Sequence, residues 1–285
     1  MKYEFIRQYK DDYSVSLMCS LFSVSRSGYY AWVNHKPSRR ELVNIDLDSK
    51  IISMFSKNKS RYGSPRITGA LREDGVYCSF NRVARRMKVL NLKALAKKKC
   101  KVTTDSEHSK PIYENILNRD FSTTNINQKW AGDITYIATD EGWLYLAVII
   151  DLHSRAIIGW AMNKRMTKQL VCDALIMALF NHKFPKDVVV HTDRGSQYCS
   201  LKYRNIIRNN KLIGSMSRSG NCWDNAISES FFHTLKVELV HQHKYITRRD
   251  AKNSIFHYIE GYYNKKRMHS AIDYETPFEV ECNRK

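Results

Sequence analysis

No two cysteines in this 285-residue chain are spaced as CxxC. The seven present, Cys19, Cys78, Cys100, Cys172, Cys199, Cys222 and Cys282, are scattered and odd in number. That pattern argues against a disulfide framework and a zinc ribbon, and it fits a reducing compartment. Long apolar runs are also missing: the longest, Leu144 to Ile150, is far too short to span a bilayer. No apolar stretch follows the first residues, so a secretory signal is not expected, and the expected location is the cytoplasm, where DNA is directly available if the source is a bacterium. No internal repeat at solenoid periods is visible. Acidic charge is scarce as well, with 28 Asp and Glu against 47 Lys and Arg, a net charge of +19 and a pI near 9.6. Such a balance points to a nucleic-acid partner. A basic surface kept only for solubility is the weaker reading, because added acids serve solubility better.

Hydrophobic residues make up 43% of the chain and charged residues 26%, so an ordinary globular protein is expected rather than a disordered one. The basic excess is uneven. Residues 1–110 hold 23 Lys and Arg against 10 Asp and Glu, whereas residues 111–285 hold 24 against 18. Phosphate contact is therefore expected mainly in the first part, and acidic chemistry in the second. Three regions are expected: an N-terminal helical DNA-binding region over 1–57, a second helix-turn-helix-like region with a basic linker over 58–110, and a catalytic domain over 111–285.

Val15 to Leu21 reads as a short amphipathic helix, and Ser25 is placed to cap a second one running to about Val33. Together they outline a helix-turn-helix. Ser38 to Phe55 follows as a longer helix, with Leu47, Ile51, Met54 and Phe55 at core spacing. Pro65 near a first helical position and Gly75 beyond the end bracket another helix. Ser79 then caps a helix carrying Arg82, Arg85, Arg86 and Lys88. Arg26, Arg82, Arg85 and Arg86 are the expected phosphate contacts of these helices, set against the plainer reading of a solvated helix face. Lys97, Lys98, Lys99 and Lys101 favour DNA. Residues from about 94 to 122 are polar, lack periodicity and read as a linker.

From Lys129 the pattern changes. Strands are expected at Asp133–Ala138, Trp143–Ile150 and Ala156–Met162, joined by short spacers that suit antiparallel pairing. A helix over about 168–182, a strand at Val188–Val190, a helix near 200–209, a strand at Ile213–Met216 and helices near 225–240 and 248–264 complete the order. This is a mixed α/β sheet flanked by helices, in the sequence of elements expected of a ribonuclease-H-like core.

Three carboxylates stand out. Asp133 begins the first strand, Asp193 ends the fourth, and Glu229 lies on the long helix. The carboxyl ends of strands are where α/β folds build sites. Carboxylates held together repel one another unless protons or cations intervene, and hard Mg²⁺ or Mn²⁺ ions prefer such oxygen ligands. Two ions so held can clamp both oxygens of an in-line displacement at phosphorus. Asp133 is expected to bridge two ions, with Asp193 and Glu229 each binding one. The plainer reading is three surface acids that cap turns or pair with cations. Lys236, seven residues after Glu229 and on the same helical face, either holds a DNA phosphate or snorkels over Phe232 and Leu235.

Other residues carry less. Asp151 reads as a strand-end turn residue and His191 as a structural hydrogen-bonder. Asp224 or Asn225 reads as the cap of the long helix. Tyr262, Tyr263, Asn264, Arg267 and His269 form an aromatic and basic stretch that either grips DNA or packs on the core.

Several strings then coincide. They are Trp130-Ala131-Gly132-Asp133-Ile134-Thr135-Tyr136, His191-Thr192-Asp193-Arg194-Gly195-Ser196-Gln197-Tyr198, Gly220-Asn221-Cys222-Trp223-Asp224-Asn225-Ala226 leading to Glu229-Ser230-Phe231-Phe232, and Tyr263-Asn264-Lys265-Lys266-Arg267-Met268-His269-Ser270. Together they resemble the second-reading-frame (OrfB) transposase of the IS-three family of insertion sequences, related to retroviral integrases. The family's Asp-Asp-35-Glu signature is met, since 35 residues lie between Asp193 and Glu229. Ser25-Arg26-Ser27-Gly28-Tyr29-Tyr30-Ala31-Trp32 and Arg61-Tyr62-Gly63 resemble its N-terminal segments, so the likeness spans nearly the whole chain.

The resemblance implies an integrase-like catalytic core in which the acidic triad binds Mg²⁺ and activates water to nick a transposon end. The freed 3′-hydroxyl then attacks another strand, with no covalent protein–DNA intermediate at Tyr136 or Tyr198. It implies double-stranded DNA as partner, both terminal repeats and target, and a homo-oligomer that brings two ends together. It also implies the first-reading-frame protein as partner or fused neighbour, since this chain has no zipper of sustained heptads. Asp273 departs from the pattern, standing where the family often has Gly. The alternative function is a DNA-binding regulator of transposition that does not cut.

Overall fold

The computed structural model describes residues 1–95, 111–218 and 226–283. Three short helices come first: α1 (Lys2–Gln8), α2 (Val15–Leu21) and α3 (Arg26–Val33). Ser14 and Ser25 cap the second and third by accepting from the backbone N–H groups of Leu17 and Gly28, which satisfies donors that a helix start leaves open. Ile6, Met18, Cys19 and Tyr29 form their small core. The helix α1 was not expected. Its only buried residue is Ile6, so its periodic signal is faint, and packing against α2 and α3 holds it.

Next come α4 (Arg39–Lys57), α5 (Ser64–Glu73) and α6 (Phe80–Val89). Ser38 and Glu41 form a reciprocal capping box at the start of α4. Leu47, Ile51 and Phe55 of α4 share one core with Ile67 and Leu71 of α5 and Val83 of α6. The division expected at residue 57 therefore falls where the cores do not divide, because α4 packs with the helices after it. This core also takes in Met268. Tyr62 fastens the junction: its hydroxyl donates to the Lys266 carbonyl at 2.9 Å and accepts from the Met268 N–H at 3.1 Å.

The sheet follows: β1 (Lys129–Thr139), β2 (Gly142–Asp151), β3 (Ile157–Asn163), β4 (Val189–Thr192) and β5 (Ile213–Met216), in the spatial order β3-β2-β1-β4-β5. The first three strands are antiparallel, and β4 and β5 run parallel to β1. The interior strand β2 is apolar on both faces because helices cover both. Leu144, Leu146, Val148 and Ile150 face one core, and Ala147 and Ile149 the other. On the second face lie α7 (Lys168–Asn181) and α8 (Leu201–Asn209). Gly159 lets α7 come down onto β3, since a Cβ there would stand 2.2 Å from the Ala174 carbonyl oxygen.

The first face is covered by α9 (Ala226–Glu238) and α10 (Arg248–Phe256). From α10 the chain continues through a wide π-helical turn, His257–Tyr263, into α11 (Asn264–Lys266). The turn Ser270–Ile272 and α12 (Pro277–Cys282) close the chain. A single helix was expected over 248–264; the π turn widens it so that Tyr258, Ile259 and Tyr263 all face inward.

The segment expected as linker is in part structural. Residues 111–122 run beside β5, where the Ile116 and Leu117 N–H groups donate to Ser215 Oγ and the Tyr113 ring lies over Gly214. These contacts cover the sheet edge. Lys97, Lys98, Lys99 and Lys101 lie outside the described residues, as do Trp223, Asp224 and Asn225.

Candidate active site

The parallel pairing of β1 with β4 sets the geometry. Gly132 is opposite Thr192, the last residue of β4. The next position on each chain is an aspartate, Asp133 and Asp193, so both carboxylates emerge together where the two strands separate. Two short contacts fix them. The Ile134 N–H donates to Asp133 Oδ1 at 2.8 Å, and the Gly195 N–H donates to Asp193 Oδ1 at 2.9 Å. Burial, then the Asp193 charge, holds the Asp133 carboxyl well above the usual carboxylate range; Glu229 adds to this and Lys236 opposes it. Asp193, Glu229 and Lys236 are therefore all close enough to act on the charge of Asp133.

Glu229 arrives from the first turn of α9, which the buried Phe231, Phe232 and Leu235 anchor to the sheet. Its side chain is exposed, and partial burial raises its carboxyl. Lys236 lies near the far end of the same helix, its ammonium over the Tyr136 ring. Tyr198 is buried beneath the pair, its hydroxyl pushed well up by burial and then by Asp133 and Asp193. A phenol so placed resists ionisation, which fits a site without a tyrosine nucleophile. Among the described residues, no group of three or more His, Cys, Asp or Glu side chains is arranged to hold a metal ion.

Neighbouring residues have structural duties. Asp151 is fully buried and accepts from the N–H groups of Asn127, His153 and Ser154 and from the Trp130 indole. It is the strand-end turn residue expected. His191 is buried, with Nδ1 2.9 Å from Ser215 Oγ.

The expected phosphate contacts divide. Arg26 opens α3 and is exposed, as is Arg85 on α6. Arg82 donates to Asn44 at 2.9 Å. Arg86 makes a two-pronged pair with Asp48 that ties α6 to α4. Its charge is thus spent within the protein, a correction to its reading as a free DNA contact. With Arg39 and Arg40 these three line a shallow basic cleft between α4 and α6. The α4 arginines were missed because they were read only as part of a helix start.

Arg267 needs a larger correction. It is 4% exposed, and its guanidinium donates to both carboxylate oxygens of Glu238 at 2.9–3.1 Å. Burial works against its charge, but the Glu238 pair outweighs burial and holds Arg267 above its usual range. Its charge is held in a core ion pair and not offered on the surface. Tyr263 is buried and Tyr262 half-buried, so the aromatic pair packs on the core.

Comparison with known proteins agrees with this architecture. An HTH-like domain model matches residues 42–99, and two integrase core domain models match residues 124–222 and 229–283. The transposase InsF for insertion sequence IS3A, from Escherichia coli K12, is 47% identical over 283 residues, covering 99% of this chain and 98% of that one. This chain belongs to the IS3 family of transposases. A second relative, the insertion element IS600 uncharacterized 31 kDa protein of Shigella sonnei, is 44% identical over 260 residues and covers 91% of the transposase and 96% of its own length. Among solved structures, a chain of a simian T-cell lymphotropic virus intasome covers 75% of this chain and 69% of its own, at 17% identity and a TM-score of 0.48. The HTLV-2 integrase catalytic core domain in complex with magnesium covers 56% and 99%, at 16% identity and a TM-score of 0.44. The transposase is thus a mixed α/β enzyme with an integrase core and an HTH-like helical region before it. Among its described residues, no helix is long and apolar enough to cross a membrane.

Proposed function

We propose that the transposase uses Asp133, Asp193 and Glu229 to hold two divalent cations, Mg²⁺ or Mn²⁺, and so cleaves insertion-sequence ends and joins them to target DNA. The observation that carries this is the strand register that brings Asp133 and Asp193 out side by side, with Glu229 and Lys236 acting on the Asp133 charge. The donor set is all oxygen and self-repelling, which suits a hard cation. Asp133, Asp193 and Glu229 are the carboxylates that would hold the ions, with Asp133 the one on which the charges of both others act. When bound, the ions activate the attacking oxygen and stabilise charge on the leaving one. The protein's own part is to orient. The Ile134 and Gly195 N–H groups fix the two aspartates, the apolar face of α9 sets Glu229, and Lys236 neutralises a phosphate of the strand being cut.

The partners we infer are duplex DNA, a second copy of the chain and the first-reading-frame protein, free or fused. The HTH-like region and the basic cleft between α4 and α6 support the first. The need to bring two ends together supports the second. We read the location as cytoplasmic, where such DNA lies.

The test is incubation of the purified chain with labelled terminal-repeat DNA, with and without Mg²⁺, beside Asp133→Asn, Asp193→Asn and Glu229→Gln. Metal-dependent nicking or strand transfer, lost in all three variants while DNA binding persists, is the expected result. Cleavage that survives in Asp133→Asn would refute the site assignment. Binding without cleavage by the wild-type chain, also when fused to its first-frame partner, would mark a regulator instead.

A further inference from the structure

A cavity of about 400 Å³ lies where the HTH-like region meets the integrase core. It is bordered by α9, including Ser230, the residue after Glu229. Its described walls hold Arg61, Arg66, Arg155 and Arg267, with Glu238 as the carboxylate among them. That carboxylate is already shared: Arg267 lies 2.9 Å from it and Arg66 3.7 Å. Arg61 is held flat. Its guanidinium stacks 4.3 Å from the Tyr262 ring centroid, and its Nε donates to the Glu238 backbone carbonyl at 3.2 Å. Arg155 sits on the turn after β2, and its buried Nε has no hydrogen-bond partner among the described residues.

Four guanidinium groups line the cleft with Glu238 as the carboxylate among its described walls, so cations outnumber acids on its surface; Asp151 acts on Arg155 from outside that lining. Burial, acting first, lowers the basicity of both Arg66 and Arg155, against the opposing pull of Glu238 on Arg66 and of Tyr263 and Asp151 on Arg155. A buried donor left open costs stability unless something else fills it. The guanidinium fork matches phosphate oxygens two at a time, and a cavity of this size takes a phosphodiester with its sugar.

We propose that Arg61, Arg66 and Arg155 form a pocket for one backbone phosphate of the DNA strand held beside α9. Arg267 and Glu238 form its fixed floor, and the bound strand bridges the HTH-like region and the core. This rests on the reading that DNA is the substrate.

The experiment measures binding of the full-length chain to a short terminal-repeat duplex by fluorescence anisotropy across a salt series. Arg155→Gln is compared with Arg208→Gln, an exposed charge control on α8. Arg155→Gln is expected to weaken binding about tenfold and to lower the salt slope by about one, with Arg208→Gln close to wild type. A neutral methylphosphonate walked along each strand should weaken the wild type at one position and leave Arg155→Gln indifferent there. Should Arg155→Gln melt early, Arg61→Gln takes the same test. Wild-type affinity, salt slope and methylphosphonate sensitivity in Arg155→Gln and Arg61→Gln would overturn the proposal. So would a variant that loses only thermal stabilisation by inorganic phosphate and still binds DNA normally, since the pocket would then take free phosphate. If the wild-type chain binds no duplex at all, the DNA reading itself fails, an outcome distinct from failure of the pocket.

Discussion

The Lys236 ammonium lies 5.0 Å from the centroid of the Tyr136 ring, joining the far end of α9 to the strand that carries Asp133. An attraction of this kind at a half-exposed site is worth about 0.5–1 kcal/mol, enough to favour one placement of a long side chain. Lys236→Gln should raise the Kd for terminal-repeat DNA about tenfold, with little loss of cleavage rate at saturating DNA. Tyr136→Phe should leave both constants unchanged, and Tyr136→Leu should raise the Kd two- to fivefold by releasing the lysine. Titration of labelled duplex with single-turnover cleavage measures all three. A large loss of rate with unchanged Kd in Lys236→Gln would contradict a phosphate-holding role.

Asp133 is held in a field that disfavours its charge. In metal-free buffer, Asp133→Asn should therefore stabilise the transposase by roughly 1 kcal/mol, while abolishing cleavage. Added Mg²⁺ should raise the melting temperature of the wild type and leave the variant nearly unmoved. Thermal denaturation in EDTA and in Mg²⁺ checks both. A variant less stable than wild type in EDTA would show that the aspartate serves the fold and not the metal.

The Glu238–Arg267 pair is a buried ion pair. The two side chains are 7% and 5% exposed, and Glu238 also accepts from the Tyr258 hydroxyl at 2.9 Å. Removing one partner leaves an uncompensated charge in the core, so Glu238→Ala should cost about 3–5 kcal/mol. Glu238→Leu combined with Arg267→Met should recover much of that loss, because Arg267 no longer strands a charge and Arg66, 3.7 Å from the carboxylate, is the cation left without it. Urea denaturation of the single and double variants decides it. Equal instability of the two would mean that the Tyr258 and Arg66 contacts, and not the pair, carry the energy.

That pair shows where sequence reading stops. Arg267 sits among Lys265, Lys266 and His269, and in sequence it looks like part of a basic surface. Only the fold brings Glu238, on another helix, against it. Local signals fared better. Ser25 and Ser79 accept from the N–H groups of Gly28 and Arg82 as their positions suggest, because a cap is decided within four residues. The strands were legible because β2 is apolar along its length. The segment 111–122 was not, since its bonds go to an edge strand about a hundred residues away and impose no periodicity. Asp133 was expected to begin the first strand, but β1 starts at Lys129 and Asp133 lies within it. That it comes level with Asp193, just past the end of β4, is a property of the parallel pairing.

His269 gives the stability a pH dependence. Burial, then the charges of Arg267, Arg66 and Arg155, pushes its imidazole down to about 2 from the usual 6.5. The folded state keeps His269 neutral while the unfolded chain takes up a proton below pH 6.5. Stability from this source is therefore complete above pH 6.5 and falls as pH drops toward 2, by at most about 1.4 kcal/mol per pH unit. By pH 5 the loss approaches about 2 kcal/mol. Urea titrations at pH 7.5 and pH 5 should show His269→Gln losing less stability over that interval than wild type. Identical losses would place the acid sensitivity elsewhere.

The backbone at Asp273 says what a glycine there would supply. It lies at φ 51°, ψ 33°, and Tyr274 follows at φ 68°, so two consecutive residues occupy the left-handed region. The turn is held by the Tyr274 N–H donating to the His269 carbonyl at 2.9 Å and by the His269 N–H donating to the Glu275 carbonyl at 3.0 Å. Aspartate tolerates this region better than most residues, yet pays a steric cost that glycine does not. Against that, glycine loses more freedom on folding. The steric term should win here because the turn leaves no right-handed option, so Asp273→Gly should stabilise by about 0.5 kcal/mol. Tyr274→Gly should instead destabilise, because the Tyr274 side chain packs against the core of α4, α5 and α6 and its loss outweighs the relief of strain. Opposite signs for the two substitutions in one denaturation series would separate backbone strain from packing. A destabilising Asp273→Gly would mean that the aspartate side chain contributes more to the turn than its strain removes.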